Sequence, residues 1–173
     1  TVVVQSVGQV AEDVTLADND ITCGTRPCVV LNGTPRAMIA RNRMVPAAES
    51  GPPTYTFYAQ SQPQYQPTVA EDVTLADNDM TCGADACAYL TGTPGAMIVR
   101  NQMAPAVGVA TLHITVVQSV VGGATAEDVT FADNIMTCGS GSCVFFSGTP
   151  RAWITGNRLT AAAAVSGIHV QGS

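Results

Sequence analysis

The sequence contains no lysine, and charged residues of all kinds make up only 12% of its 173 positions. The seven basic residues are all arginines, and thirteen acidic residues outnumber them, which gives a net charge of −6. A chain without a basic cluster cannot neutralise a phosphate backbone, so we expect no nucleic-acid partner. Long apolar runs are also missing, and no stretch reaches the ~20 residues of a membrane-spanning helix. We therefore expect no membrane span.

Helical periodicity is missing as well. The 16 glycines and 10 prolines interrupt the chain too often for helices of ordinary length. The connecting segments do not follow two-residue hairpin patterns, which argues against an antiparallel sandwich. The chain consists instead of short phrases of alternating apolar and β-branched residues, each ended by Gly, Pro, Asn or Asp, which is typical of β-strands. With 46% hydrophobic residues, the composition is that of a folded protein.

The dominant feature of the sequence is an internal repeat. Residues 10–44, VAEDVTLADNDITCGTRPCVVLNGTPRAMIARNRM, recur at 69–103 and, with more drift, at 125–159. Each repeat contains the same asparagine-centred frame twice, 23 residues apart, at Asn19 and Asn42, Asn78 and Asn101, Asn134 and Asn157. Three short strands and one asparagine per frame predict a coil of a parallel solenoid. Asparagine suits a corner because it tolerates the left-handed conformation and its amide can bond to the asparagine of the next coil.

These phrases resemble the right-handed parallel β-helix (pectin-lyase-like) repeat proteins. The loose signature of that family is apolar-x-apolar-x-x-Asn-x-apolar, then a glycine-rich turn, then apolar-x-apolar. The resemblance covers nearly the whole chain and implies an all-β fold, a right-handed parallel β-helix of about six rungs built from three double-rung repeats. We expect residues 1–173 to form a single β-helix domain, and a fragment of a longer array would show the same pattern.

The charges alternate from rung to rung. Equivalent positions of successive rungs lie about 4.8 Å apart in a parallel solenoid. The position before each asparagine carries, in rung order, Asp18, Arg41, Asp77, Arg100, Asp133 and Gly156. The turn before the second strand carries Glu12 and Asp13, Arg36, Glu71 and Asp72, Gly95, Glu127 and Asp128, then Arg151. The double-rung repeat therefore predicts stacked opposite charges, which fix the register of the coils.

These ion pairs leave few acids free for catalysis. Polysaccharide-cleaving β-helix enzymes use clustered carboxylates, and inverting glycosidases hold two of them roughly 6.5–9.5 Å apart. Here nearly every acid has an ionic neighbour, and His113 and His169 lie in strand phrases without a Ser, Cys or acid partner. We expect no enzymatic activity, no catalytic residue, no metal and no cofactor. The alternatives are a polysaccharide lyase or hydrolase, and Ca²⁺ at the Glu-Asp corners.

The six cysteines form three pairs with four residues between partners: Cys23 and Cys28, Cys82 and Cys87, Cys138 and Cys143. Each pair brackets the third turn of a coil, where the two Cα atoms can approach to disulfide distance. Zinc would need four ligands, and each pair stands alone. Two interpretations remain: a disulfide within each pair, or buried free thiols that pack as small apolar groups. Disulfides would indicate a compartment outside the reducing cytosol.

One face of the first strand of each coil carries no arginine or aspartate. Alternation directs inward Val29, Leu31, Ala88, Leu90, Val144 and Phe146. The residues between them form an outward, partly aromatic row of Val3, Val30, Tyr58, Tyr89, Val116, Phe145 and His169. Beside it runs an uncharged polar row of Gln5, Asn32, Gln60, Thr91, Gln118, Ser147 and Gln171. A continuous stripe of this kind marks a contact surface.

Three interpretations of this stripe stay open. It contacts a protein, it binds carbohydrate on the strand that is the substrate face of the resembling enzymes, or the Tyr-, Gln- and Pro-rich loop 46–67 covers it. The surface residues that we select are Val30, Tyr58, Gln60, Tyr89, Val116, Gln118 and Phe145. We prefer a non-enzymatic module outside the cell or on its surface that acts as a scaffold and self-associates, laterally or end to end into filaments. The alternative is a carbohydrate-binding or polysaccharide-processing module.

Overall fold

The computed structural model describes residues 1–5, 11–47, 54–61, 69–120, 123–161 and 167–172. These ranges contain nineteen β-strands and no helix. The strands are β1 (Val2–Gln5), β2 (Thr15–Ala17), β3 (Asp20–Cys23), β4 (Val29–Asn32), β5 (Met38–Ala40), β6 (Arg43–Pro46), β7 (Tyr55–Gln60), β8 (Thr74–Ala76), β9 (Asp79–Cys82), β10 (Ala86–Thr91), β11 (Met97–Val99), β12 (Gln102–Pro105), β13 (Thr115–Gln118), β14 (Thr130–Ala132), β15 (Ile135–Thr137), β16 (Val144–Ser147), β17 (Trp153–Thr155), β18 (Arg158–Thr160) and β19 (Ile168–Gln171). Since the described chain has no helix, it also has none that could cross a membrane.

The strands form three parallel sheets. The first sheet has the order β1-β4-β7-β10-β13-β16-β19, the second β2-β5-β8-β11-β14-β17, and the third β3-β6-β9-β12-β15-β18. Neighbours within each sheet are three strands apart along the chain, so each coil passes once through every sheet. This is a parallel β-solenoid, and the predicted all-β fold class is confirmed. We number the rungs one to six by the strands of the second sheet. Crossover connections between parallel strands are almost always right-handed, which agrees with the right-handed coil expected from the sequence.

The core occupies the interior of the coil. The inward positions predicted for the first sheet, such as Leu31 and Phe146, are fully buried. Phe57, Phe131 and Phe146 are among the largest side chains in this interior. Because every strand is short and every second residue points inward, each rung contributes only a few apolar side chains, and stacking of the rungs makes the core continuous.

The corner between the second and third sheets differs from the prediction in one respect. The left-handed residue is the one before each asparagine: Asp18, Arg41, Asp77, Arg100, Asp133 and Gly156, all with φ between 54° and 65°. A second column of left-handed residues stands at the turn before the second sheet: Asp13, Arg36, Asp72, Gly95, Asp128 and Arg151. The residue that makes each bend points its side chain outward, which leaves the following asparagine free to turn its amide inward.

The asparagines form a ladder along this corner. The Nδ2 of Asn78 donates to the Oδ1 of Asn101 at 3.0 Å, and its Oδ1 accepts from the Nδ2 of Asn42 at 3.1 Å. The same amide contact links Asn19 to Asn42, Asn101 to Asn134 and Asn134 to Asn157. Each amide of the ladder after Asn19 also binds backbone groups of the adjacent rungs. The bond between neighbouring asparagines is present as predicted.

All three cysteine pairs are disulfides. The Cα atoms of Cys23 and Cys28, Cys82 and Cys87, and Cys138 and Cys143 are 4.9, 4.1 and 4.7 Å apart. Each bond joins the end of a third-sheet strand to the start of the next first-sheet strand, and no cysteine of the chain is free. The disulfide interpretation is confirmed, and the free-thiol interpretation is wrong.

The candidate binding surface

The outward residues of the first sheet stack in register. The pairs Val30 and Tyr58, Tyr58 and Tyr89, and Tyr89 and Val116 are direct strand neighbours, and Phe145 follows Val116. The polar row runs beside them, from Asn32 through Gln60 and Thr91 to Gln118. The structure therefore brings the selected residues together on one face, in the two rows that the sequence indicates.

Val116 is an exception within the row. It points to the outer face, yet only 5% of its surface is exposed. The reason is its position between two larger rings, Tyr89 on one side and Phe145 on the other. Val116 therefore forms the floor of the surface, where it lines the groove between these rings.

A tyrosine that the sequence did not indicate completes the surface. The ring centroid of Tyr55 lies 4.5 Å from that of Tyr89 and 5.5 Å from that of Tyr58, and Tyr58 and Tyr89 are 5.6 Å apart. Tyr55 was expected in the loop 46–67, but residues 55–60 are strand β7. This part of the loop interpretation is wrong, and residues 48–53 and 62–68 lie outside the described chain. The six-residue lengths of β7 and β10, two longer than β4, explain the extra position.

The amide row orients the phenols. The hydroxyl of Tyr58 donates to the Oε1 of Gln60 at 2.5 Å, and the Nε2 of Gln60 donates to the Oδ1 of Asn32 at 3.0 Å. The Nε2 of Gln118 donates to the hydroxyl oxygen of Tyr89. Burial raises the pKa of Tyr55, Tyr58 and Tyr89 above the usual value of tyrosine. The surface therefore presents neutral phenols and amides at neutral pH.

The histidines also differ from the prediction. The Nδ1 of His113 lies 2.9 Å from the Oγ of Ser142, so His113 does have a serine partner. Its ring stacks on Phe145 at 5.5 Å, and Phe145 stacks on His169 at 5.2 Å. Among the described residues, no carboxylate lies within ion-pair distance of His113. The pair thus lacks the orienting acid that activates a serine in hydrolases.

Two adjoining grooves open on this face, and Tyr55 and Tyr89 line both of them. The first has a volume of about 350 Å³ and is completed by Pro27, Thr54 and Tyr58. The second has a volume of about 210 Å³ and is completed by Asp85, Leu112, His113, Val116, Gln118 and Phe145. Ring faces dominate these grooves, with amide, phenol and imidazole groups at hydrogen-bonding positions. Such a lining can hold an apolar or aromatic side chain, or the face of a sugar ring.

The Glu-Asp corners proposed for Ca²⁺ lie elsewhere, at the turn before the second sheet. Arg36 contacts Glu12 at 2.5 Å and Asp13 at 2.7 Å. Arg151 makes the equivalent contacts with Glu127 and Asp128 at 2.8 and 2.6 Å. At these two corners a guanidinium stands beside the carboxylates that a cation would need. The described residues contain no group of three side chains suited to a metal ion.

At the opposite edge of the second sheet, Arg41 and Arg100 each pair with the aspartate of the preceding rung. Arg41 contacts Asp18 at 2.7 Å, and Arg100 contacts Asp77 at 2.8 Å. The carboxylate of Asp133 lies over Gly156, where an added Cβ would come within 2.0 Å of its Oδ1. Glycine thus stands at the rung where the aspartate folds over its neighbour.

The fold and the surface together define a three-sheet parallel β-solenoid with one aromatic and amide-rich face. The chain matches no protein-family model and no curated protein sequence. Among solved structures, it is similar to the Streptococcus pneumoniae surface protein and adhesin PfbA. The alignment has 6% sequence identity and a TM-score of 0.38, and it covers 92% of this chain and 67% of that chain. These comparisons assign the chain to no family.

Proposed function

We propose that this protein is a non-enzymatic β-solenoid module that acts as a structural scaffold outside the cell or on its surface. In this proposal, the aromatic face of the first sheet contacts a protein partner, and no cofactor is required. The observation that carries the proposal is the cluster of Tyr55, Tyr58 and Tyr89, whose ring centroids lie within 5.6 Å of one another at the surface. Tyrosines that are rigidly held and partly exposed are typical of protein interfaces.

Two further features support the scaffold role. The asparagine ladder ties each rung to its neighbours. The three disulfides close third turns, so the aromatic face rests on a rigid support. Disulfides persist in oxidising surroundings, which supports a location outside the cytosol.

Photo-crosslinking tests the proposed contact. A benzophenone amino acid replaces Tyr89, and a control variant carries it at Val107, which is fully exposed in a loop after the third sheet. We expect crosslinks to an extracellular protein from position 89 and none to that protein from position 107. Equal crosslinking from both positions, or none from position 89, contradicts the proposal.

A carbohydrate ligand is the second candidate. The groove beside Tyr55 and Tyr89 combines ring faces with the amide of Gln118 and the carboxylate of Asp85, a set that can stack on a sugar ring and bind its hydroxyl groups. Calorimetry with neutral and uronate oligosaccharides measures this binding. If sugar binds here, Tyr89→Ala abolishes the heat of binding, whereas Trp153→Ala, an exposed aromatic on the second sheet, leaves it unchanged.

The absence of catalysis is part of the proposal and needs its own assay. We expect no new reducing ends and no unsaturated products when the protein is incubated with uronate or neutral polysaccharides. The pairing of acids such as Asp18 and Asp77 with arginines supports this expectation. Turnover that is lost in a His113→Ala or Asp85→Ala variant would show instead that the second groove is an active site.

A further inference from the structure

The outer face of the second sheet carries a second regular pattern, distinct from the aromatic face. Its first outward row alternates threonine with a large apolar residue from rung to rung: Thr15, Met38, Thr74, Met97, Thr130 and Trp153. The large residues are exposed, Met38 by 40%, Met97 by 43% and Trp153 by 68%. These side chains contribute little to the core of their own chain. They form an exposed apolar ridge that is interrupted at every second rung, where the smaller threonine leaves a gap.

The neighbouring row makes the rest of this face flat. It consists of Ala17, Ala40, Ala76, Val99, Ala132 and Thr155. Four of these residues are nearly buried at 3 to 7% exposure, although they point outward. Small side chains between the apolar ridge and the bend leave room for another surface to approach closely.

The charges that border this face follow the same alternation. At both bends, rungs one, three and five carry aspartate, and the arginines stand only on rungs two, four and six. Rung two, for example, combines Met38 with Arg36 and Arg41, whereas rung five combines Thr130 with Asp128 and Asp133. The large apolar side chains of this face therefore lie on the rungs that carry arginine, and the threonines lie on the rungs that carry aspartate at both bends.

We propose that the outer face of the second sheet docks onto the same face of a second copy of this chain. The twofold axis runs along the strand direction between rungs three and four, so the two solenoid axes are antiparallel. This operation pairs rung one with rung six, two with five, and three with four, so every odd rung meets an even one. An isologous contact of this kind closes as a dimer.

The pairing is complementary in shape and in charge. Across the axis Met38 faces Thr130, Thr74 faces Met97, and Thr15 faces Trp153, so each apolar side chain meets a gap in the ridge. Arg41 faces the second copy's Asp133. At the other bend, rung two brings Arg36 against the acidic pair of rung five. Opposite charges across an interface favour the correct register and oppose the others.

A parallel arrangement of two copies lacks this complementarity. With the twofold axis along the solenoid axis, every rung would face its own equivalent. The strand direction would also be reversed, so Asp18 would meet Asp13 of the second copy and Arg41 would meet Arg36, which places like charges opposite each other. The alternation of charge therefore selects the antiparallel pairing.

The size of the face predicts a weak dimer. Six rungs at about 4.8 Å and five to six residues at about 3.3 Å give a contact of about 500 Å² on each copy. Stable interfaces bury about 800 Å² per partner, and those with less are typical of transient association. The dimer should accordingly form at high protein concentration and dissociate on dilution.

Sedimentation velocity over a range of concentrations tests the association. Met97 lies near the axis and therefore occurs twice near the centre of the dimer. Met97→Asp should weaken dimerisation at least tenfold, because it removes the apolar contact and places a carboxylate beside the acidic rung of the second copy. Val107→Asp, at a fully exposed position away from this face, is the matched control and should dimerise like the unmodified protein. A strictly monomeric unmodified protein overturns the proposal.

Disulfide crosslinking tests the orientation. Met38 and Thr130 are three rungs apart, about 14 Å within one chain, which is beyond the reach of a disulfide. In the antiparallel dimer they face each other, so the double variant Met38→Cys with Thr130→Cys should form a covalent dimer under mild oxidation. Neither single variant should do so. A covalent dimer from Met38→Cys alone places the two Met38 positions opposite each other, which the antiparallel dimer does not allow. No dimer from the double variant shows another surface. Either result refutes the proposed geometry.

Discussion

Replacement of Asn78 by alanine tests the asparagine ladder at its centre. Asn78 is 2% exposed. Its Oδ1 accepts from the backbone N–H of Asn42 at 2.9 Å, and its Nδ2 donates to the carbonyls of Ile39 and Ala76 at 2.8 and 2.9 Å. It also bonds to the amides of Asn42 and Asn101. The alanine variant removes all five hydrogen bonds at once.

The expected loss of stability follows from the groups that stay behind. The N–H of Asn42 and the carbonyl of Ile39 lose the partner that Asn78 supplies in a buried corner, and a buried group left unpaired costs about 1–3 kcal/mol. The carbonyl of Ala76 keeps the N–H of Arg41 as a donor. Water that enters the vacated space recovers part of this energy. We therefore expect Asn78→Ala to lower the free energy of unfolding by about 3–4 kcal/mol.

Asn19→Ala is the matched control within the same ladder. Asn19 is exposed, and its amide donates only to the carbonyl of Ala17 and the Oδ1 of Asn42. Water can replace both bonds, so the expected loss is about 0.5–1 kcal/mol. Urea unfolding followed by far-ultraviolet circular dichroism measures both variants. If the two lose the same free energy, the buried amide ladder does not stabilise the fold in the way described.

Three other predictions concern the charge ladder, the disulfides and the tyrosines. The hydrogen bond from Arg41 lowers the pKa of Asp18, so this pair stabilises the fold fully above the usual carboxyl pKa. Its contribution is lost as the pH falls through the lowered pKa. A carbon-13 titration should show that the pKa of Asp18 rises in Arg41→Gln. Replacement of Cys82 and Cys87 by alanine should cost about 2 kcal/mol for so short a loop, measured by urea unfolding, with the intact protein taking up no alkylating agent without reductant. Burial raises the pKa of Tyr89, so the neutral phenol stabilises the fold at neutral pH and this contribution is lost as the pH rises through the raised pKa. Ultraviolet titration should show that Tyr89 ionises at a higher pH than free tyrosine, and that unfolding removes this difference.

The sequence was sufficient to predict the fold because the repeat encodes it three times. Asparagines at a constant spacing, strands of alternating residues and opposite charges at equivalent positions each require rungs in parallel register. The left-handed residue could not be located in the same way. Asparagine commonly adopts that conformation, but here its amide is needed inside, so Asp18 and Arg41 adopt it instead. The competition between these two roles of asparagine depends on burial, which the pattern does not reveal.

The sequence predicts the two rows of the binding surface, but it does not predict the side chains that lie beside these rows. Alternation places Tyr58 and Tyr89 outward, since their neighbours must fill the core. Alternation does not show that β7 and β10 are six residues long, so the sequence places Tyr55 in a loop and not on a strand. The contact between His113 and Ser142 joins residues 29 positions apart in neighbouring coils. Ser142 lies in the third repeat and His113 lies between repeats, so the periodicity does not indicate that these two side chains meet.

The double-rung repeat has two separable causes. Alternation of Asp18 with Arg41 is required by folding alone, because identical charges would otherwise stack at the spacing of parallel strands. Folding places no such demand on the exposed residues between the bends, and threonine at every rung would suit the sheet equally well. Met38 and Met97 nevertheless occur on rungs with arginine, and so does Trp153, while the threonines occur on rungs with aspartate. That correlation between bulk and charge has no function within one coil, but it makes the face complementary to itself.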